Sequence, residues 1–369
     1  NSSAASDVYK RQVLGEKKKP VFLLTGMGAQ YFGMGKDLYD TNTVFKQAVD
    51  ECCTIIQKLS GLDIKQLLFD KALTYEADYH RMDIGQYTIF VVEYGLVKML
   101  QSLGIQPKKM IGYSFGEYVA ACIAEVFSLE DALAIILKRA SLIDELPQGA
   151  MLSVPVTAEE IQPYLTDAIH LAIDNGPSCV LAGDGEALTA LEDELRSKRI
   201  MCYRMASTKA MHSPLMEGVK EPFASFIASV TLNRPKVPFV SNVSGTWISD
   251  AQATDPQYWA DHMCNTVLFS DGLSELIQAK DQVFVEIGPG TDISNLVNRQ
   301  LESNGMQERA MNLLRPEANK TNDFKYFLNR MGQLWLRGLT INWTSLFENE
   351  ERLSLIHISD PTRLYSISY

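Results

Sequence analysis

The 369-residue sequence has no hydrophobic run long enough to cross a bilayer. Its longest apolar stretches, such as residues 21–24, are far shorter than the ~20 residues that a transmembrane helix needs. No segment resembles a signal peptide, so a cytoplasmic location is expected. Internal repeats are also absent, while 46% of the residues are hydrophobic. These features exclude collagen, coiled coil and wholesale disorder, and they predict a globular protein with a buried core.

Positive charge is scarce as well. The 34 lysines and arginines are outnumbered by 45 aspartates and glutamates, which gives a formal charge of −11. We therefore expect no nucleic-acid-binding surface, and no membrane partner either. An anionic ligand would have to be held by a local cation.

The cysteines follow no spacing typical of a metal site or a disulfide framework. Two of the 6 are adjacent, Cys52 and Cys53, which suits neither arrangement. We expect reduced thiols in a reducing compartment. The remaining cysteines are Cys122, Cys179, Cys202 and Cys264.

The two ends of the chain share no pattern with the residues between them. Residues 1–12 and 353–369 resemble strings that arise when a sequencing adapter is translated in frame with a transcript. We expect them to form no part of the fold. His357 lies in the second string and is therefore not a candidate for a functional site.

Strands alternate with helices in the first part of the chain. Short apolar strands are predicted at 21–26 and 109–112, and helices at 45–59, 87–103 and 117–126, with another helix beginning at Ser128. This alternation predicts a parallel sheet. From about residue 149 the rhythm changes to β-α-β-β-α-β, with the elements 151–156, 157–165, 170–173, 179–182, 186–198 and 200–205. That order is typical of a ferredoxin-like unit, and we interpret residues 148–207 as an inserted subdomain.

The α/β pattern then resumes, with strands predicted at 237–243 and 283–287. Residues 313–347 look different again, with a helical stretch at 324–338. We interpret them as a strap on a neighbouring surface, with Trp335 and Trp343 as anchors. The main domain is accordingly expected to span residues 13–307.

The most informative motif is GYSFG, residues 112–116. A GxSxG turn between a strand and a helix forms a nucleophile elbow, in which the glycines permit a tight turn that exposes the serine hydroxyl. Ser114 is therefore the candidate nucleophile, and the N–H of Phe115 at the helix N-terminus is a candidate oxyanion donor. The alternative is an ordinary turn serine.

A nucleophilic serine needs a base, and the candidates are His80, His170, His212 and His262. His212 follows the inserted subdomain in a loop that can face the carboxyl edge of the sheet. A loop histidine can equally be an ordinary surface residue, so the sequence position alone leaves both interpretations open.

Two other features have competing interpretations. Arg139 follows an apolar helix, where it is either a cation that reaches solvent or a guanidinium that holds a carboxylate. The loop after the first strand, residues 26–30, reads GMGAQ. It lacks the third glycine of a dinucleotide-binding loop, because position 31 is tyrosine. A glycine loop here can instead provide a second oxyanion N–H.

Together these motifs resemble the acyltransferase domain of modular type I polyketide synthases, a family that includes the malonyl-CoA:acyl-carrier-protein transacylases. The resemblance covers about residues 19–348. Its motifs are LTGMGAQYFGMGKDLY, GQYTIF with Gln86, GYSFGEYVAA, AIDNGPSCVLAG with Asn175, KAMHSPLM, YWADHMCNTVLF, VEIGPG and the final linker segment.

The resemblance implies an α/β-hydrolase-like large subdomain with a parallel sheet and the inserted ferredoxin-like (βαββαβ) subdomain, followed by a post-acyltransferase linker at 308–352. It implies Ser114 as nucleophile, His212 as base, and the backbone of Met27 and Phe115 as the oxyanion hole. A backbone carbonyl near His262 would support the base. The acyl group would be bound by Arg139, which holds its carboxylate, and by Gln86, Tyr113, Met211 and Asn175.

The implied chemistry is a ping-pong transfer of a malonyl group from CoA, through an acyl-serine ester, to the phosphopantetheine thiol of an acyl carrier protein. No metal or bound cofactor is implied. The implied partners are the acyl carrier protein and neighbouring synthase domains, a ketosynthase among them. Two alternatives remain: a serine esterase or thioesterase, which would need an acidic triad member, and a non-catalytic synthase domain.

The sequence departs from the family pattern at three places. Met27 stands where the family has glutamine, Tyr113 where it has histidine before the nucleophile, and residues 265–267 lack the usual proline. The family's specificity positions point to malonyl rather than methylmalonyl, because Phe115 is apolar and Met211 is nearly as bulky as the phenylalanine of malonyl enzymes.

Overall fold

Two β-sheets organise the part of the chain that this computed structural model describes, which is residues 17–70, 81–307 and 309–346. The two adapter-like ends and His80 lie outside those ranges. The strands, in chain order, are β1 (Lys19–Leu24), β2 (Lys109–Gly112), β3 (Ala150–Val154), β4 (Ile169–Asp174), β5 (Cys179–Gly183), β6 (Tyr203–Arg204), β7 (Phe239–Val240), β8 (Val267–Leu268), β9 (Gln282–Ile287) and β10 (Ala310–Asn312).

Helices surround both sheets. They are α1 (Lys36–Thr41), α2 (Thr43–Ser60), α3 (Ile64–Phe69), α4 (Met82–Ser102), α5 (Gly116–Ile123), α6 (Leu129–Asp144), α7 (Ala158–Ile161), α8 (Gly185–Ser197), α9 (Lys220–Ile227), α10 (Asp250–Ala253), α11 (Pro256–Cys264), α12 (Phe269–Ile277), α13 (Asp292–Ser303) and α14 (Asp323–Leu336). Short 3₁₀ segments cover Gln162–Tyr164, Pro214–Val219 and Thr344–Leu346.

The large sheet is parallel throughout, in the order β10-β9-β1-β2-β7. Its register pairs Leu24 with both Gly112 and Ile287. Since parallel strands end at the same edge, the loops that follow β1, β2 and β9 meet there. This edge is where the candidate site is built. The parallel sheet that the sequence predicts is confirmed.

The small sheet has the order β6-β3-β5-β4-β8. Its first four strands follow the 4-1-3-2 order of a ferredoxin-like unit, and β3, β4, β5 and β6 pair antiparallel. A fifth strand, β8, comes from the large subdomain and pairs in parallel with β4. The ferredoxin-like insertion is confirmed, and β8 ties it to the main body.

Several predicted elements are shorter in the structure. The strand predicted at 200–205 is reduced to β6, and the helix predicted at 157–165 ends at Ile161, where a 3₁₀ turn containing Pro163 follows. The strand predicted at 237–243 is reduced to β7. There the chain turns instead, because the N–H of Ser241 bonds to the carbonyl of Thr246 at 2.8 Å.

The region predicted as a linker from residue 308 contributes to the large sheet. Strand β10 pairs with β9, so the sheet extends past the predicted boundary at residue 307. The following helix α14 buries Phe327 and Leu334, whereas Trp335, the predicted anchor, is 39% exposed. Trp335 falls on the outer face because the buried face of the helix is formed by Tyr326, Phe327, Met331 and Leu334. Trp343 packs partly buried against the core.

The core is largest around helix α4, whose residues are buried along most of its length. Despite this, no helix in the described ranges combines the length and the apolarity required to cross a membrane. All six cysteines are unpaired, and five of them are buried.

Candidate active site

Ser114 sits on a tight turn between β2 and α5. Its φ of 51° lies in the left-handed region, which costs a non-glycine residue about 1–3 kcal/mol. The flanking glycines are required by close approach, since a Cβ on Gly112 would lie 2.1 Å from the N of Glu117, and one on Gly116 2.3 Å from the carbonyl oxygen of Leu24. The GxSxG spacing therefore produces a strained, partly buried serine that lines the cavity described below.

Asn242, in the loop after β7, clamps this turn. Its Oδ1 accepts a hydrogen bond from the N–H of Ser114 at 2.8 Å, and its Nδ2 donates to the carbonyl of Gly112 at 2.8 Å. Its side chain is buried. Two bonds from one amide fix the backbone on both sides of Tyr113, which offsets the strain at Ser114.

His212 is placed against the serine. Its Nε2 lies 2.5 Å from Ser114 Oγ, and its Nδ1 lies 3.0 Å from the carbonyl oxygen of His262 and 3.2 Å from that of Asn265. Carbonyls only accept, so Nδ1 carries the proton and Nε2 presents a lone pair to the hydroxyl. His212 also has a positive φ of 58°, held by a bond from its N–H to the carbonyl of Met263.

Burial sets the protonation state of this histidine. Burial, together with the nearby His262 and Arg139, lowers the pKa of His212 to about 3, against the opposing effect of the two carbonyls. The imidazole is therefore neutral at pH 7, as a general base must be. The carbonyls of His262 and Asn265 take the orienting position that a carboxylate occupies in a Ser-His-Asp triad.

A buried carboxylate joins the two halves of this dyad. Glu117 is fully buried, and its Oε2 accepts from the N–H of Asn242 at 2.7 Å and lies 3.5 Å from Nε2 of His262. Its Oε1 accepts from the hydroxyl of Tyr258. Glu117 thus contacts the residue that clamps Ser114 and the residue whose carbonyl orients His212. Sequence reasoning missed it, although a carboxylate in the first turn of the apolar helix α5 is a signal.

Ser114 and His212 open into a cavity of about 450 Å³. Five further residues that the sequence singled out line the same cavity: Met27, Tyr113, Phe115, Arg139 and Met211. Its remaining walls come from both subdomains and are Gly28, Gln30, Arg81, Met82, Asp144, Met151, Ile173, Met205, Ala206, Ser207, Thr208 and Lys209.

Arg139 lies within helix α6 and is 1% exposed, so it is not a cation that reaches solvent. Its Nε and Nη1 atoms have no hydrogen-bond partner among the described residues. The guanidinium carbon lies 5.7 Å from the ring centre of Phe115 and 5.3 Å from that of Tyr118. Desolvation lowers the pKa of Arg139. A buried cation with open donors on a cavity wall is suited to an anionic ligand.

Two backbone N–H groups beside the serine are also open. Those of Met27 and Phe115 have no hydrogen-bond partner within the described ranges, and both residues line the cavity. Phe115 is the N-cap of α5, so its N–H lies at the positive end of a helix. The pair is suited to hold a developing oxyanion.

The other predicted residues lie behind the cavity walls. Gln86 is fully buried, and neither polar atom of its amide has a partner among the described residues. Asn175 follows β4 and is buried, and the ring of Tyr113 packs on Phe269 with 4.9 Å between the ring centres. His262 supports His212 through its carbonyl, and its ring is fully buried.

The remaining histidine candidate is elsewhere, since His170 lies on β4 of the small sheet. Sequence reasoning also missed the contact of Lys209, which is nearly buried and donates to the carbonyl of Asp144 at 3.0 Å. Within the described residues, no group of three His, Cys, Asp or Glu side chains is arranged to hold a metal ion.

Comparison with known proteins places these features in a family. Residues 21–335 match the model of the acyl transferase domain. A phenolphthiocerol/phthiocerol polyketide synthase of Mycobacterium tuberculosis is 35% identical over 325 residues, which are 88% of this chain and 22% of that protein. The chain thus spans about a fifth of the length of this curated relative.

Solved structures of acyltransferase domains are also similar to this chain. The acyl transferase domain of ZmaA is 38% identical with a TM-score of 0.85, covering 92% of this chain and 80% of that one. The acyltransferase domain from the second module of the salinomycin polyketide synthase is 30% identical with a TM-score of 0.80, covering 96% and 79%. The malonyl CoA-acyl carrier protein transacylase of Clostridium perfringens shares the fold, with a TM-score of 0.73 at 22% identity over 86% of this chain and 97% of that one.

Proposed function

Because the chain belongs to the acyl transferase domain family of polyketide synthases, we propose that it transfers a malonyl group from coenzyme A to the phosphopantetheine thiol of an acyl carrier protein. The observation that carries this proposal is the shared cavity. It combines the Ser114–His212 pair, with 2.5 Å between Oγ and Nε2, and a buried arginine with open donors.

In the first half-reaction, Nε2 of His212 takes the proton of Ser114 while Oγ attacks the thioester carbonyl carbon of malonyl-CoA. The N–H groups of Met27 and Phe115 hold the oxyanion of the tetrahedral intermediate. The C–S bond then breaks, the thiolate of coenzyme A takes the proton from His212, and a malonyl-serine ester remains.

The second half-reaction reverses these roles. The phosphopantetheine thiol of the carrier protein gives its proton to Nε2 of His212 and attacks the ester carbonyl. The C–O bond breaks, and the proton passes from His212 to Oγ of Ser114. The imidazolium exists only between these steps, and the carbonyls of His262 and Asn265 accept from its Nδ1–H.

Arg139 is proposed to hold the free carboxylate of the malonyl group. Leaving a carboxylate unpaired in a partly enclosed cavity is costly, whereas a guanidinium provides a matching pair of donors. An uncharged acyl group would leave the Arg139 donors unpaired, so the same contact selects against acetyl. Tyr113, Met211, Gln86 and Asn175 are proposed to shape the acyl pocket around that carboxylate.

The geometry favours transfer over the two alternatives. A serine esterase or thioesterase of the triad type would place a carboxylate on Nδ1 of its histidine, where this chain has two carbonyls. A non-catalytic domain would not require the strained Ser114 or its close contact with His212. As partners we propose an acyl carrier protein and neighbouring synthase domains, including a ketosynthase, since the curated relative is a much longer polyketide synthase.

The test is incubation with malonyl-CoA, followed by intact-mass measurement, with and without a phosphopantetheinylated carrier protein. We expect a malonyl adduct on the enzyme that moves to the carrier faster than it is lost to water. An adduct that is hydrolysed at the same rate with and without the carrier would instead indicate a thioesterase. No adduct at all would indicate a non-catalytic domain.

A further inference from the structure

We propose that Glu93 is a positioning residue that sets the oxyanion-binding loop, residues 25–27, against the nucleophile. Glu93 lies on helix α4 and does not line the cavity, so it acts through the loop rather than on the substrate. The inference rests on the proposed function only in assigning the oxyanion contact to the N–H of Met27.

The contact between Glu93 and the loop is short and double. Oε1 of Glu93 accepts from the backbone N–H of Thr25 at 2.5 Å and from Oγ1 of Thr25 at 2.6 Å. Thr25 is the first residue after β1, and both residues are buried. One carboxylate oxygen therefore fixes the backbone and the side chain of the residue at which the loop begins.

On one side, the loop is packed directly against the serine turn. A Cβ on Gly116 would lie 2.8 Å from the carbonyl oxygen of Thr25, and one on Gly26 would lie 2.8 Å from that of Tyr113. The N–H of Tyr113 also donates to the carbonyl of Leu24 at 2.9 Å. A displacement of Thr25 would therefore shift Met27 relative to Ser114.

On the other side, the end of β9 encloses the contact. Gly288 has a φ of +129°, and a Cβ there would lie 2.4 Å from Oγ1 of Thr25 and 2.6 Å from Oε1 of Glu93. The backbone of Gly288 therefore packs directly against the contact between Glu93 and Thr25. If the acceptor were removed, the buried donors of Thr25 would be unpaired, and the loop would have to move to satisfy them.

Burying the carboxylate of Glu93 costs free energy, which favours a functional role over simple filling of the core. Burial raises the pKa of Glu93 well above its usual range, and Glu286 adds to this shift. Neighbouring Glu286 provides a contrast, because its carboxylate accepts from the N–H groups of Ile293 and Ser294 at the start of α13 and does not contact the loop. It is the matched control.

The experiment compares Glu93→Leu, Glu93→Gln and Glu286→Gln with the unmodified chain. Acylation is followed with malonyl-CoA, with acetyl-CoA, and with p-nitrophenyl acetate, whose burst of p-nitrophenol requires no carboxylate on the acyl group. We expect Glu93→Leu to slow acylation by about 100-fold, the scale of a reacting group displaced by about 1 Å. The loss should be similar for all three donors and fall on kcat rather than KM, because the loop contacts the reacting carbonyl and not the rest of the acyl group.

Glu93→Gln should remain near the unmodified rate, since its amide oxygen offers the same acceptor, and so should Glu286→Gln. Unchanged acylation in Glu93→Leu, a loss confined to malonyl-CoA, or an equal loss in Glu93→Gln would overturn the proposal. If Glu93→Leu fails to fold, Thr25→Val and Thr25→Ser carry the test: the valine variant should be slower and the serine variant should not. Equal rates for these two would also overturn it.

The two proposals fail separately. If malonyl-CoA leaves the unmodified chain unlabelled, the proposed substrate is wrong, while the p-nitrophenol burst still reports whether Glu93 positions the loop.

Discussion

Ser114 and Arg139 line one cavity, yet the protein treats their polar atoms in opposite ways. The N–H of Ser114 bonds to Asn242 and its hydroxyl to His212. In contrast, Nε and Nη1 of Arg139 have no partner among the described residues. Each buried polar atom without a partner costs about 1–3 kcal/mol. The nucleophile and its base are therefore held by the protein alone, whereas on our proposal the open donors of Arg139 are paired by the carboxylate of the substrate.

The largest expected effect comes from removing the reacting groups. Ser114→Ala should abolish acyl-enzyme formation from malonyl-CoA, because among the described residues the hydroxyl of Ser114 is the group that contacts Nε2 of His212. His212→Ala should slow acylation by roughly 10⁴- to 10⁶-fold, the scale seen when a serine loses its base. Intact mass after incubation measures both, and an adduct that persists on the alanine variant at position 114 would remove Ser114 from the mechanism.

The next effect concerns the clamp on the serine turn. Asn242→Ala removes both side-chain bonds, so Ser114 should relax out of its strained conformation and acylation should fall by about 100-fold. The free energy of unfolding should also fall by about 1–3 kcal/mol, because the N–H of Ser114 and the carbonyl of Gly112 lose their partner. Stopped-flow acylation and chemical denaturation measure the two effects. The control is Asn295→Ala, which removes an exposed asparagine; if both variants behave alike, the clamp has no special role.

Arg139→Ala tests whether Arg139 binds the carboxylate of the substrate. It should reduce malonyl transfer by about 10- to 100-fold, the value of a buried hydrogen bond to a charged group, and leave acetyl transfer unchanged or faster. Arg234→Ala, at a side chain that is 81% exposed, is the control and should affect neither substrate. Equal losses for malonyl and acetyl would show that Arg139 is structural.

A smaller effect is expected from a substitution at Met211, in the cavity wall beside His212. Met211 lines the cavity next to His212, and on our proposal it occupies the space that the α-methyl group of methylmalonyl would need. Met211→Ser should shift the ratio of methylmalonyl to malonyl labelling upward by about tenfold, since one methyl group discriminates by about 1–3 kcal/mol in an apolar pocket. Competition between the two CoA esters gives the ratio. An unchanged ratio would contradict the steric argument.

The smallest expected effect is that of pH, since the rate of acylation should hardly change as the solution is acidified. His212 must be neutral to accept a proton, and burial lowers its pKa to about 3, so the neutral base is lost only as the pH falls through that value. The rate of acylation should therefore be nearly constant between about pH 8 and pH 5, whereas an ordinary histidine would lose half its activity near pH 6.5. Loss of half the acylation rate near pH 6.5 would show that His212 is more hydrated than its burial in the structure indicates.

The sequence predicts the elements of the site better than the contacts between them. The strand, turn and helix around Ser114 are local, and GYSFG specifies them through glycines that the close approach of Glu117 and Leu24 requires. The fold class follows from the alternation of strands and helices. The positions of β7 and β6 are harder to predict, because their apolar residues continue into turns.

The supporting network could not be predicted, because its members are distant in the chain. Glu117 meets Asn242 and Tyr258 across 125 and 141 residues, and Glu93 meets Thr25 across 68. No periodicity encodes such contacts. A buried carboxylate within an apolar helix marks both glutamates as unusual, but only the fold shows which partners they meet.

Competition between malonyl-CoA and acetyl-CoA tests the central claim most directly. The unmodified chain is mixed with equal concentrations of both esters, and the acyl group on Ser114 is identified by intact mass before hydrolysis. We predict that malonyl-serine predominates by at least about tenfold, because only malonyl pairs the open donors of Arg139. Equal labelling, or a predominance of acetyl-serine, would contradict the claim that a substrate carboxylate completes the site.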